Sequence, residues 1–248
     1  MQTSLTFATD NRLPEILGRL SATYPSARQT LSDPLAQLIF GVIGEGAAPP
    51  VGLAVFNRVR ARWPHWVALS NVSAEDLAPF FIGLPRATKK AAAVPAILRQ
   101  IAEEKGAIDI SFLAKLSTDA GQRWLERLPG VSSGVAAAVL AFSSLARPLV
   151  TIDADNARVI RRLELCSMGA PLSAVPRHVS ERAPAAWGSD QFSKLSDGLR
   201  RLARSVCHAG KPACGDCPLA ELCPSQTRNT ATVIRFPFGE SKDERAVS

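Results

Sequence analysis

The chain has 248 residues, 46% of them hydrophobic, enough to bury one good-sized core or two modest ones. Lys and Arg number 29 against 22 Asp and Glu, and the formal net charge of +7 suits a polyanionic partner such as nucleic acid, or plain solubility. No apolar run reaches the length of a membrane span, and the start MQTSLTFATDNRLPEILGRL has no basic segment followed by an uninterrupted apolar stretch, so a soluble, cytoplasmic protein with no membrane partner is expected.

In chain order, apolar residues recur at three- and four-residue spacing between caps, with almost no strand-like alternation, which predicts an all-α fold. Asp33 can cap, and Pro34 can take the first position of a helix running through Leu35, Leu38, Ile39 and Val42 to a stop near Gly44 or Gly46. A second helix follows Pro49-Pro50, from about 51 to 63. Ser73 with Asp76 three residues on reads as a capping box opening a third. Residues 86–105 read helical despite Pro95, whose missing N–H and ring predict a kink or a break, and Gly106 marks the end. Further helices fit 111–116, 119–128, 134–145, 155–165, 174–183 and 190–206, joined by short loops and with no internal repeat.

Between two of these helices lies Leu128-Pro129-Gly130-Val131-Ser132-Ser133-Gly134-Val135-Ala136, a helix–hairpin–helix at about 120–145. Gly130 suits a tight turn, and the N–H groups that open the second helix form a site for a phosphate. An ordinary helical corner capped by Ser132 or Ser133 has the same outline. Some twenty residues on, Pro148-Leu149-Val150-Thr151-Ile152-Asp153 is an extended apolar approach ending in a carboxylate at a helix start. Asp153 can serve there as N-cap and still face a cleft, with Arg158, Arg161 and Arg162 following on the helix as basic groups within reach of DNA.

Of five cysteines, Cys166 stands apart and Cys207, Cys214, Cys217 and Cys223 follow a C-x6-C-x2-C-x5-C pattern. Three short loops can wrap these four thiolates around one centre, a layout poor for a disulfide framework and natural for a metal site in a reducing compartment. Four thiolates suit zinc or an iron–sulfur cluster. Zinc sites favour pairs of cysteines two to four residues apart, and here only Cys214 and Cys217 form one, so the spacing favours the cluster over zinc or a pair of disulfides. With every position around it filled by protein, the centre reads as structural. Lys211 within the loop, and Arg200, Arg201 and Arg204 before it, can meet phosphates or form a solvated basic face. From residue 225 onward the chain reads as a loose polar tail, with Val233-Ile234-Arg235-Phe236-Pro237-Phe238 its one apolar patch.

The hairpin, the aspartate and the cysteine pattern, in this order, resemble the endonuclease III and adenine glycosylase branch of the helix–hairpin–helix DNA glycosylases, over roughly residues 30–224. The resemblance implies a six-helix barrel over 31–147 and a cluster domain built from 1–30 with 148–224, flanking a DNA-binding cleft. It also implies a 4Fe-4S cluster on the four cysteines, DNA contacts at Gly130, Val131, Ser132, Arg158 and Lys211, and a wedge loop Ile82-Gly83-Leu84 with Leu84 entering the duplex. Its chemistry flips a damaged or mispaired base out of double-stranded DNA and breaks the N-glycosidic bond, with Asp153 stabilising a cationic sugar or activating water. The implied protein is a monomer, associated with the nucleoid if bacterial.

Four positions depart from that family. Gly134 stands where bifunctional members carry the lysine that forms a Schiff base, which predicts a glycosylase with little or no strand cleavage. Gly41 stands where adenine glycosylases carry a glutamate, and Glu45, one turn on, is a candidate pocket carboxylate. Ser132 replaces the second hairpin glycine. Asp155 adds a second negative charge near Asp153, which would raise the pKa of one of the pair if both are buried. A non-catalytic iron–sulfur protein binding abasic or distorted DNA, and an iron–sulfur redox sensor that binds DNA, are the competing readings.

Overall fold

The computed structural model describes residues 12–25 and 31–229. All its α and 3-10 elements are helical, in the order α1 (Arg12–Thr23), α2 (Pro34–Gly44), α3 (Pro49–Arg62), α4 (Trp66–Ser70), α5 (Ala74–Leu77), α6 (Ala87–Lys105), α7 (Thr118–Glu126), α8 (Ser133–Phe142), α9 (Ala154–Arg162), α10 (Val175–Arg182), α11 (Ser189–Ser205) and α12 (Pro224–Asn229). Short 3-10 turns lie between them at Ala78–Phe81, Ser111–Lys115, Leu172–Ala174, Cys214–Asp216 and Ala220–Leu222. The fold is all-α, and no helix among the described residues is long and apolar enough to cross a membrane.

Buried side chains fall into two clusters. One is drawn from residues 35–149, with Leu38, Ile39, Ile97, Leu98, Leu125 and Leu140 at its centre. The other joins Leu13, Ile16 and Leu20 of α1 to Val150, Ile160, Leu195 and Leu199. The helix starts follow the sequence closely. Asp33 caps α2 by accepting from the N–H groups of Leu35 and Ala36, with Pro34 at the first position. Ser132, and not Ser133, caps α8.

Three expectations are corrected. Pro95 lies inside one continuous helix, α6, so it does not divide the segment. Residues 111–116 form only a 3-10 turn. Residues 225–229, expected as loose tail, begin as α12, with Ser225 Oγ donating to Arg162 O at 2.8 Å. The apolar patch at 233–238 lies outside the described residues, as do positions 1–11 and 26–30.

α2 and α8 pack side by side at a glycine. A Cβ added to Gly41 would stand 2.9 Å from Val135 Cγ1, and valine has little rotamer freedom in a helix with which to give way. A side chain at Gly41, where the resemblance expects a glutamate, would therefore be opposed by packing. Gly18, on the exposed side of α1, has no neighbour within 4 Å. Gly18→Ala should raise the melting temperature, since alanine favours a helix by roughly 1 kcal/mol over glycine. Gly41→Ala should lower it, because overpacking costs about 1–3 kcal/mol and outweighs the propensity gain. Thermal unfolding of both variants against the parent checks the pair, and stabilisation by Gly41→Ala would contradict the packing.

Candidate active site and cluster centre

The hairpin turn is set by Gly130, whose φ of +73° is the left-handed region that favours glycine. A Cβ there would also stand 3.0 Å from Ala93 Cβ of α6. The N–H of Val131 returns to Leu128 O, and Val131 itself is buried. Val131 thus packs the turn instead of offering a side chain to DNA, a correction to the sequence reading. Ser132 Oγ accepts the Val135 N–H at 3.2 Å and donates to Glu45 Oε1, so its hydroxyl is committed within the protein. The N–H groups of Gly130, Ser133 and Gly134 have no acceptor among the described residues and open together at the start of α8.

Asp153 is fixed by the chain on both sides. The approach strand is tied down by Thr151 N–H donating to Ser196 Oγ at 3.0 Å, and Asn156, wholly buried, donates from Nδ2 to Thr151 O. Asp153 then caps α9 in a reciprocal box: its Oδ1 accepts the Asn156 N–H at 2.9 Å, and Asn156 Oδ1 accepts the Asp153 N–H at 2.7 Å. Its Oδ2 accepts from Arg200 Nε at 2.6 Å. Gly134 faces the same place, since a Cβ there would lie 3.8 Å from both Ile152 O and Ser132 Oγ. The hairpin and the carboxylate are therefore neighbours, and Gly134 leaves room between them.

Burial pushes the Asp153 carboxyl up, but the charge of Arg200, the Asn156 N–H, the Arg200 hydrogen bond and the charge of Arg204 together hold it below the usual carboxylate range. The condition set for Asp155 is not met, since the Asp153 and Asp155 side chains are 37% and 36% exposed, and Asp155 is itself paired with Arg158 Nη1 and Arg204 Nε, each at 3.2 Å. A carboxyl depressed by folding contributes stability above its unfolded pKa, and loses it as pH falls through the lower folded value.

The basic residues expected at DNA are largely spent inside. Arg158 donates to Asp155, to Cys207 O at 3.0 Å and to Ala203 O at 3.0 Å. Arg161 reaches Ala170 O, and Arg162 reaches Cys207 Sγ, His208 O and Ala209 O. Arg200, Arg201 and Arg204 pair with Asp153, Asp197 and Asp155. Lys211 is exposed, as expected of a phosphate contact.

The wedge loop is also corrected. Leu84 is 6% exposed and belongs to the first core, with its N–H donated to Phe81 O. Ile82 is 79% exposed, and the backbone turns at Gly83, φ +87°. Ile82 is the side chain this loop presents. Glu45 closes α2 and joins the hairpin to that loop, accepting from Ser132 on Oε1 and from Arg86 Nη2 at 3.0 Å on Oε2. Beneath it Lys90, 4% exposed, donates from Nζ to Ile43 O at 2.8 Å and Glu45 O at 2.6 Å. Burial lowers its pKa, yet both carbonyls and its burial keep it as a cap on α2 and out of reach of a sugar.

The four cysteines line one cavity, flanked by Val206, Pro212 and Ala220. Burial pushes the Cys217 and Cys223 thiols up, and the neighbouring cysteines push them further, so four thiolates need a cationic centre to coexist. No group of three or more His, Cys, Asp and Glu among the described residues converges on a single ion. Four cysteine sulfurs lining one cavity fit an iron–sulfur cluster, which these thiolates would hold. Arg162 Nη1 at 3.1 Å from Cys207 Sγ adds a positive charge beside it.

A family model described as the iron-sulfur binding domain of endonuclease III matches residues 207–223. An endonuclease III of Synechocystis is 27% identical over 216 residues, covering 86% of this chain and 92% of that protein. The iron–sulfur domain match and this relative support the endonuclease III-like branch of the helix–hairpin–helix glycosylases as the kin of this chain. Its cofactor is a 4Fe-4S cluster. Within the branch, an adenine DNA glycosylase of Mycobacterium tuberculosis is 28% identical over 171 residues, 65% of this chain and 52% of that protein. A non-covalent endonuclease III–DNA complex has the same fold, with a TM-score of 0.72 at 20% identity over 90% of this chain and 99% of that one.

Sequence reading missed α1 and α4. The spacing of Leu13, Ile16, Leu17 and Leu20 was sufficient to find α1. The Arg200–Asp153 pair, 47 residues apart, carries no local signal. Cys214→Ser should yield protein with less than the full iron and sulfide content, weaker visible absorption and a lower melting temperature. Retention of full iron by that variant would remove Cys214 from the ligand set.

Proposed function

We propose that this endonuclease III-like protein is a DNA glycosylase of base excision repair that hydrolyses the N-glycosidic bond and does not cut the strand. The observation that carries the reading is the Asp153 carboxylate, held ionised beside the α8 first turn, with glycine at the one hairpin position from which an amine would reach the sugar. As the base departs, positive charge develops on the sugar, and a fixed carboxylate stabilises it. Water then adds at that carbon and the product is an abasic site. Gly134 carries no amine and Lys90 is sealed under α2, so neither would form a Schiff base with the sugar.

The partner is double-stranded DNA holding a damaged or mispaired base, extruded into the cleft between the two cores. The N–H groups of the hairpin would hold a phosphate, Ile82 would fill the space left in the stack, and Lys211 would contact the backbone outside the lesion. We take the chain to act as a monomer with two lobes, 31–147 and 1–30 with 148–224, in the cytoplasm, associated with the nucleoid if the source is bacterial. Cys207, Cys214, Cys217 and Cys223 would hold the cluster, whose part here is to brace the loops beside α9 and α11.

A second reading is favoured by the ion pairs themselves. Both oxygens of Asp153 and both of Glu45 are engaged, which suits a protein that grips distorted or abasic DNA without chemistry.

Duplexes carrying a panel of lesions and mispairs separate the two. The glycosylase reading expects base release from at least one duplex and its loss, by about a hundredfold or more, in Asp153→Asn. Tight binding of abasic DNA with no base released from any duplex favours the second. Gly134→Lys, for which the backbone leaves room, should gain borohydride trapping on a processed duplex while the parent shows none. Trapping by the parent would overturn the monofunctional reading.

A further inference from the structure

α11 presents Arg200 and Arg204, one helical turn apart, to Asp153 and Asp155 at the start of α9. The charges around Asp153 can be followed element by element. On α11, Arg201 is taken by Asp197, 3.1 Å away on the same helix. On α9, Arg158 and Asp155 pair with each other, and Arg204 supplies Asp155 with a second cation. α8, across the site, carries no charged residue at all. Arg200 is thus the cation bonded to Asp153, with the charge of Arg204 a smaller addition, and it is 19% exposed against 37% for the carboxylate.

We propose that Arg200 is the positioning residue of the active site, holding Asp153 as a fixed, ionised carboxylate and denying it the part of proton acceptor. The proposal rests on the glycosylase reading above. A guanidinium does not lose its proton in a protein, so the pair persists across the working pH range. A carboxylate with one oxygen on a backbone N–H and the other on a guanidinium is a weak base, and proton-transfer catalysis falls with basicity. What remains is its negative charge and its orientation, both fixed before substrate arrives. Asp153 then acts through charge on the sugar: the C–N bond breaks with its electron pair leaving on the base, water adds to the cationic carbon, and the proton shed by the added water passes through solvent to the released base instead of to Asp153.

The test uses the full chain with its cluster. Carbon-13 NMR of the Asp153 carboxyl, assigned with Asp153→Asn, gives its titration without DNA. Single-turnover base release gives the acid limb of the rate. In Arg200→Met the titration should move up toward the ordinary carboxylate range, in Arg200→Lys it should return downward, and the acid limb should follow both. Arg200→Gln, which keeps a donor without the charge, should also move it up and serves if the methionine variant fails to fold. An unchanged titration without the Arg200 charge, or an acid limb that stays put while the titration moves, overturns the proposal. Absence of base release by the parent on every duplex would strike the glycosylase reading instead, and the titration alone would then judge the hold of Arg200 on Asp153.

Discussion

One carboxylate joins two helices: Asp153 accepts the Asn156 N–H on one oxygen and the Arg200 guanidinium on the other. The first bond starts α9 and the second binds that start to α11, the helix that leads into Cys207. Because α9 also carries Arg158 and Arg162 to the Cys207 carbonyl and sulfur, the cluster loops, the second core and the carboxylate share one frame. A displacement of α11 would therefore reach Asp153 directly. The same bonds bear on its chemistry, since they hold a half-buried carboxyl below the usual carboxylate range although burial pushes it up.

The other side of the site is shaped by what small residues leave out. Gly41 lets α2 press against Val135 of α8, where a side chain would be opposed by packing. Gly134 carries no side chain, and a Cβ there would meet only Ile152 O and Ser132 Oγ at 3.8 Å. Glu45 lies between the hairpin and the exposed Ile82 loop, bound to Ser132 and Arg86, and so links two parts that would both touch DNA. Arg86 reaches it from a left-handed backbone, φ 57°, which costs a non-glycine residue roughly 1–2 kcal/mol.

Local features were legible in the sequence because their causes are local. Asp33-Pro34, Ser132 and Asp153 cap helices through bonds spanning three residues, and the cysteine pattern closes in short loops. Features set by tertiary packing were not. Leu84 and Ile82 are two residues apart, and only the course of the backbone through Gly83 decides that one is buried and the other exposed. Arg158, Arg200 and Arg204 read as a DNA-facing surface because their partners Ala203 O, Asp153 and Asp155 lie 45, 47 and 49 residues away.

The account turns on base release without strand scission, and the need for alkali reads this most directly. A processed duplex should break only after alkali treatment, with the untreated strand intact at the same extent of base release. Breaks of equal yield without alkali would contradict it, and so would a complete absence of abasic product across the lesion panel.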